Sequence, residues 1–434
     1  MATLQHPNSR ARVPARHDIH FDTIGELMTP VKATSWITAK RLHRHGFVLA
    51  LCLWSVYLWN VVTPGLRDRA GNLKGTDFLH LYTLGSLALA RRGADLYNMP
   101  AQSELAAQLV PPATGTRYLP LYPPQVSVFF APFARLSYPS ALVLWLALSA
   151  LVYGLCCYAV WRACPGLRNQ ASTVLILALA YPAFWHLIAW GQTSALALLG
   201  FTLAFFALRG QREFLAGLAL GSVIFKPQLG VAAAIVFLIA LRWKILVGAI
   251  LSAGVELIPA CLYYGREPFH EWLHVLLNVP RVLPLFEPRL YQTHSLRTFW
   301  AMLIPWPSAS LALYLASALL ISALMVGCWR SRLSLPLRYS ALLLATVLLA
   351  PHLTVYDLVI LAPAFLLLCD WIANNLDHPV IPYFKLLLYL AFALPLLGPL
   401  ARWTHVQLSV PAMVALFCEI WSLGRKLAPV ANTI

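Results

Sequence analysis

Between Phe47 and Trp421 the chain returns repeatedly to uncharged apolar runs, and this recurrence limits its fold more than any other feature. A helix needs about 20 such residues to cross a bilayer core, where every backbone polar group must be satisfied within the segment. After a first run at 47–63, others fall at about 125–136, 139–161, 171–189, 192–208, 213–225, 228–241, 245–264, 309–328, 339–350, 353–371, 385–400 and 407–423. The pattern predicts an all-α polytopic membrane protein with about 11–13 transmembrane helices, although several runs have only 13–17 residues. With 60% of 434 residues apolar and 11% charged, little chain is left for a soluble domain. The organisation expected is a cytoplasmic tail over 1–45 and a single transmembrane domain over 46–434, with outer loops at about 64–121 and 265–307.

A net charge of +16 would suggest nucleic acid if its positions were ignored. Arg162, Arg168, Arg209, Arg212, Arg242, Lys244, Arg330, Arg332, Arg338, Arg425 and Lys426 sit in short connections between apolar runs, where the positive-inside rule places them on the cytoplasmic side. The implied counter-charges are anionic membrane lipids, not nucleic acid. The first 45 residues carry seven Lys/Arg and three acids with no signal-peptide core, so they are expected to stay in the cytoplasm. Counted backwards from Arg425, the basic connections lie inside and Tyr264–Pro307 outside. Counted forwards there is one crossing too many, and the short, Pro-flanked run Gln125–Leu136 is the one expected to be re-entrant. The sides of the Gly191–Gln192 and Lys226–Pro227 turns stay open.

Within the first outer loop, Phe78, Leu81, Tyr82, Leu84, Gly85 and Leu89 recur at helical spacing, and a second short amphipathic segment follows from Leu96 to Val110. Both are expected along the membrane surface. Tyr118-Leu-Pro-Leu-Tyr-Pro-Pro124 then forbids a continuous helix and re-aims the chain.

Sixteen carboxylates make elimination practical. Removing those in inner segments leaves Asp68, Asp77, Asp95, Glu104, Glu256, Glu267, Glu271, Glu287, Asp357 and Glu419. Asp77, between Gly75-Thr76 and Phe78, suits a helix N-cap. It equally suits a general base at the water–lipid boundary, taking a proton from an acceptor hydroxyl. Asp95 reads as a turn or cap residue. His352, at an outer helix break after Pro351, is either a satisfied core histidine or a functional group, since ionisable residues in membrane segments are costly. It lies one helical turn from Tyr356. Lys226 is either a turn lysine reaching the interface or a counter-ion for a lipid phosphate. Gln192 offers an amide to a sugar. In the second outer loop, Arg281, Arg289, His294 and Arg297 are interleaved with Trp272, Phe286, Tyr291 and Trp300, which suits phosphate and sugar faces and equally an interfacial belt.

Eight cysteines lie mostly in or beside apolar runs, without CxxC pairs or His/Cys metal spacing, so no metal site is expected. No Walker motif, dinucleotide glycine turn or DxD-like acidic pair supports a nucleotide-sugar site, and no cofactor is expected.

Gly75-Thr-Asp77-Phe78, Tyr82, Gly93-Ala-Asp-Leu-Tyr97, Tyr122-Pro-Pro124, Gly191-Gln192, Ala216-Gly-Leu-Ala-Leu-Gly221 and Lys226-Pro-Gln228, in that order, resemble glycosyltransferase family 87. These are polyprenol-phosphate-mannose-dependent mannosyltransferases of the GT-C fold, including phosphatidylinositol mannoside mannosyltransferases. The resemblance implies a multi-pass protein of the cytoplasmic (inner) membrane with its active site on the outer face. It implies an inverting transfer of a sugar, mannose by expectation, from a polyprenyl-phosphate donor to a lipid or glycan acceptor. Asp77 matches the catalytic aspartate, with His352 assisting. Lys226, Arg289 and Arg297 are expected at the donor phosphate, and Gln192, Tyr82, His294, Tyr356 and Asp357 at the sugar or acceptor. A secondary transporter or flippase is the competing class, because ionisable residues at broken helices also mark transport sites. An oligosaccharide polymerase or ligase would carry its dominant outer loop late in the chain.

Overall fold

A computed structural model describes residues 36–286 and 289–426, and these residues form helices and no strands. Residues 1–35 of the expected tail, and Glu287, lie outside the described residues. The first helix, α1 (Ala39–Val61), starts before the expected boundary because Thr38 caps it, accepting from the Arg41 N–H at 3.3 Å. Its apolar Phe47, Leu51 and Trp59 face outward, while Gly46 packs on Ile176 and Leu177.

The expected first outer loop contributes α2 (Thr76–Leu89) and α3 (Met99–Leu109). α2 is buried on nearly every side, more than a helix resting on a membrane surface requires. The reason is α4 (Gln125–Phe130), which packs so closely that a Cβ at Gly85 would lie 2.4 Å from the Phe130 carbonyl oxygen. The run 125–136 thus folds as a short helix and a 3-10 turn rather than as a crossing.

α5 (Tyr138–Arg162) is a full crossing. α6 (Ala171–Ala180) and α7 (Pro182–Trp190) form one apolar stretch bent by 48°. The bend falls at Tyr181, whose extended backbone is what a following proline demands. Next come α8 (Ser194–Arg209), α9 (Glu213–Gly221), α10 (Val231–Ile239) and α11 (Trp243–Tyr264). α9 and α11 touch backbone to backbone: a Cβ at Gly217 would be 2.1 Å from Ile245 O, and one at Gly248 2.3 Å from Phe214 O. Small residues allow this contact, which in a bilayer supplies the packing that apolar surface alone cannot.

The second large loop is largely helical, with α12 (Glu267–Phe286) and α13 (Leu296–Leu303). The remaining helices are α14 (Pro307–Arg330), α15 (Leu335–Leu349), α16 (Ala362–Ala373, entered through a 3-10 turn at Val355–Leu361), α17 (Ile381–Ala393), α18 (Ala401–Thr404) and α19 (Ser409–Lys426). Among the described residues five helical segments are long and apolar enough to cross, or six counting the bent pair. Of the other runs of the expected 11–13, the first lies in α1, which is 23 residues long but less apolar than these five, and α8 and α15 are shorter apolar helices.

Burial explains the difference. α15 is buried along nearly its whole length, apolar all round, and forms the axis of the bundle. α11 and α14 are mostly exposed and form its lipid-facing rim.

The two ends of the bundle differ in character. At one end Arg209 donates to Ala163 O, Arg330 to Ile239 O, and Arg242 pairs with Glu213 at 2.6 Å, so the basic connections stitch themselves together. α8 and α9 run from that end toward Gln192 and Lys226 at the other. Both turns whose sides the sequence left open therefore lie at the same end as the Asp77 segment, because Gln192 bonds to Asp77 and Lys226 to Gln192.

Candidate active site

α5 aims the first two pieces of the site. Its Tyr138 hydroxyl donates to Lys74 O and Gly75 O at 2.7 and 3.0 Å, and its Trp145 Nε1 donates to Gly191 O at 2.9 Å. Seven residues apart on one helix, these two rings hold the start of α2 beside the end of α7. Gly75 and Gly191 both take positive φ, +67° and +73°, which favours glycine. A Cβ on Gly191 would also press to 2.8 Å on Phe78 Cβ. The two turns consequently deliver Asp77 and Gln192 to each other.

Asp77 is the second residue of α2; the N-cap is Gly75, and no side chain caps the helix. The capping role that its sequence context allows is thus not the one it takes. Instead Asp77 Oδ2 accepts from Gln192 Nε2 at 2.7 Å. A carboxylate offers about four lone-pair sites and Gln192 uses one. Burial pushes the Asp77 carboxyl up from 3.8 to about 6, against the hydrogen bond from Gln192 and the positive charges of Lys226 and His352, which pull it down.

The Gln192 carbonyl oxygen is met by the Tyr122 hydroxyl at 3.0 Å, the Thr193 N–H at 3.2 Å and the Lys226 ammonium at 3.5 Å. Lys226 Nζ donates to Asp357 Oδ1 at 2.6 Å and Ser194 Oγ at 2.9 Å, and lies 5.0 Å from the centre of the Tyr356 ring. Burial works against the Lys226 charge, but the Asp357 carboxylate more than offsets it, so the ammonium persists. Asp357 is fully engaged: Ser194 also donates to Oδ1 at 2.6 Å, and Thr354 N and Oγ1 both reach Oδ2 at 3.3 Å in a capping box.

Five of the expected residues, Asp77, Gln192, Lys226, Tyr356 and Asp357, therefore converge, with His352 near enough for its charge to act on Asp77. Arg297 donates to Pro351 O, beside His352. Arg289 is exposed at the start of the Leu290–Gln292 turn. Lys226, expected at a phosphate, is committed to Asp357. Tyr82 and His294 do packing work: the Tyr82 hydroxyl donates to Leu136 O at 2.8 Å, and the His294 ring meets Ser409 Oγ at 2.7 Å while the His294 backbone N–H donates to Leu353 O. Asp95 pairs with Arg92 at 2.6 Å on the surface.

Sequence reasoning passed over Ser194 and Thr354, common residues whose importance rests on their partners. The polar triplet Gln192-Thr193-Ser194 inside an apolar region was the available signal. Among the described residues no group of three His, Cys, Asp or Glu has the arrangement of a metal site.

Beside the polar cluster runs an apolar groove of about 400 Å³ between α4, α8 and α11. Phe129 and Leu203, both half exposed, line its lipid side, and Glu256 sits in its wall. Thr193, the neighbour of Gln192 and itself buried, is among its lining residues.

The sequence model of glycosyltransferase family 87 matches residues 121–355, which include Tyr122, Gln192, Ser194, Lys226 and His352; Asp77 lies ahead of the matched stretch. Searches of curated proteins and of solved structures return no match. The matched stretch is more than half of the chain, it encloses most of the residues that converge on Asp77, and the surrounding bundle is built for a bilayer. The chain belongs to glycosyltransferase family 87 and is a membrane glycosyltransferase.

Proposed function

We propose that this enzyme transfers a sugar, mannose by preference, from a polyprenyl-phosphate donor to a hydroxyl of a lipid or glycan acceptor at the outer face of the cytoplasmic membrane, with inversion at the anomeric carbon. The observation that carries this reading is the meeting of a carboxylate and a partly exposed apolar groove at adjacent residues: Gln192 holds Asp77, and Thr193 lines the groove. A sugar activated on a lipid would present its anomeric carbon there while its hydrocarbon stays in the bilayer.

In this mechanism the acceptor hydroxyl gives its proton to Asp77 as its oxygen bonds to C1, the C1–O bond to the phosphate breaks, and the phosphate leaves on its polyprenol. A carboxyl raised to about 6 is a better proton acceptor than an ordinary aspartate and is still ionised at neutral pH. A double displacement would need a second free carboxylate as nucleophile. Asp357, the nearest one, is tied to Lys226, Ser194 and Thr354, which favours the single displacement. Arg297 and His352, at the same end of the bundle, are suited to the departing phosphate. The basic connections at the opposite end support the outer-face reading.

The test is transfer of labelled mannose in membranes carrying the full chain, with polyprenyl-phosphate-mannose and a nucleotide-linked mannose offered separately. Transfer from the lipid-linked donor alone, lost in Asp77→Ala at equal protein level, is the expected result. Transfer from the nucleotide sugar, or near-normal activity in Asp77→Ala, would overturn the reading.

A further inference from the structure

We propose that the buried Lys226–Asp357 ion pair is a positioning device that fixes which way round the Gln192 amide stands, and through it the aim of Asp77. The inference rests on the reading of Asp77 as the base and adds what holds that base in place.

A primary amide offers a donor at one end and an acceptor at the other, and a rotation of half a turn exchanges them. Asp77 requires the donor end. Three donors converge on the other end: the Tyr122 hydroxyl, the Thr193 N–H and the Lys226 ammonium, at 3.0, 3.2 and 3.5 Å. A reversed amide would set its NH2 against the Thr193 N–H and the Lys226 ammonium, neither of which can accept, and its carbonyl oxygen against a carboxylate, whereas the Tyr122 hydroxyl could turn to suit either orientation. Of the three donors only Lys226 carries a full charge, and it stands there because Asp357 and Ser194 hold its ammonium at 2.6 and 2.9 Å. Asp357 is in turn fixed by Thr354 at the start of the 3-10 turn. The line of contacts therefore runs Thr354, Asp357, Lys226, Gln192, Asp77, and it joins the late helix break to the first outer loop.

Stability is a poor explanation for such a pair. Lys226 and Asp357 are 5% and 2% exposed, and a buried ion pair repays its desolvation poorly compared with apolar residues of the same size. What an ion pair supplies and an apolar pair does not is a directed donor. The pair also leaves Lys226 close enough for its charge to act on Asp77, alongside the other groups facing that carboxyl: Asp357, His352, Tyr118, Tyr122, Tyr138 and Tyr356.

The test uses the full chain in detergent with polyprenyl-phosphate-mannose, and compares Lys226→Met, Gln192→Met and Asp77→Asn with wild type. Lys226→Met and Gln192→Met are each expected to lower kcat tenfold or more, to change donor KM by less than about threefold, and to move the acid limb of the pH profile upward. The upward move follows because each removes a group that favours the ionised Asp77. Lys226→Arg is expected to restore part of kcat. Protonation of Asp77 is followed without turnover by carbodiimide labelling, which consumes the protonated carboxyl and is read by peptide mass spectrometry. Labelling should persist to higher pH in both Met variants. If Lys226→Met raises donor KM while kcat and the pH limb stay put, Lys226 is a phosphate ligand and the proposal fails. The proposal fails equally if Gln192→Met leaves kcat and the labelling profile unmoved, a result that stands even where Lys226→Met does not accumulate. An active Asp77→Asn would instead remove the base assignment itself.

Discussion

Gln192 donates its side-chain N–H to the carboxylate of Asp77 at 2.7 Å, across 115 positions of sequence. Without that bond the carboxylate would be unsteered, whereas the amide is already oriented from its other end by Lys226 and Thr193. The bond turns two turns of backbone, each built on a glycine with positive φ, into one chemical unit.

The first expectation concerns pH. Asp77 is raised from 3.8 to about 6, so the working, ionised base is present above about pH 6 and is lost as pH falls through that value. The kcat/KM for sugar transfer should climb with a slope of one proton to a limb near pH 6 and then level. A limb near pH 4, the range of an ordinary aspartate, would show that Asp77 does not carry the proton.

A second expectation separates stability from activity at the ion pair. Asp357→Leu alone strands a buried ammonium and should cost roughly 3–5 kcal/mol, read as early thermal unfolding in detergent. Adding Lys226→Met should recover most of that loss, because two apolar residues pack where two charges were. Activity should not return with it. Recovery of both together would mean that the pair serves the fold alone.

The third concerns His294, whose ring reaches Ser409 rather than any residue of the Asp77 cluster described above. His294→Ala should cost about 1–3 kcal/mol for a stranded hydroxyl and a small void, and leave KM for donor and acceptor unchanged within about twofold. A large rise in KM at wild-type thermal stability would restore His294 to the substrate contacts.

The fourth concerns the α9–α11 contact. Gly217→Val places a branched side chain where even a Cβ would stand 2.1 Å from Ile245 O, so the helices must separate. The expected cost is about 1–3 kcal/mol or more, together with reduced transfer, because α9 leads directly to Lys226. Thermal unfolding and specific activity of the purified variant measure the two effects.

How much of this was readable in advance follows from the range over which each signal acts. The apolar runs and the basic turns are local statements about water and lipid, and they survive as the helices and as the stitched basic end. Asp77 stood out because carboxylates are scarce in such a chain. Ser194 and Thr354 did not, since a hydroxyl in an apolar run is ordinary until a carboxylate from a distant segment bonds to it. Lys226 illustrates the same limit from the other side. Its isolation suggested a cation waiting for a phosphate, and only the fold brings Asp357 to it across 131 positions. Tyr82 was named for its place in a motif, and its hydroxyl reaches the Leu136 carbonyl instead. The extent of burial of α2 was equally out of reach, because α4, which covers it, reads by itself as part of a membrane run.

The shortness of the central helices has one more consequence. α15 has 15 residues and α8 has 16, so each is about 22–24 Å long, whereas α14 on the rim has 24 residues and reaches about 36 Å. α15 ends two residues before Pro351 and His352, and α8 begins two residues after Gln192, so the floor of the site is made of their tips. The reacting groups at this end are thus carried on the tips of helices about 12–14 Å shorter than α14. Under the proposed function a lipid-borne sugar would come to such tips by sliding sideways within its own leaflet, while a water-borne partner would have to pass the longer neighbouring helices.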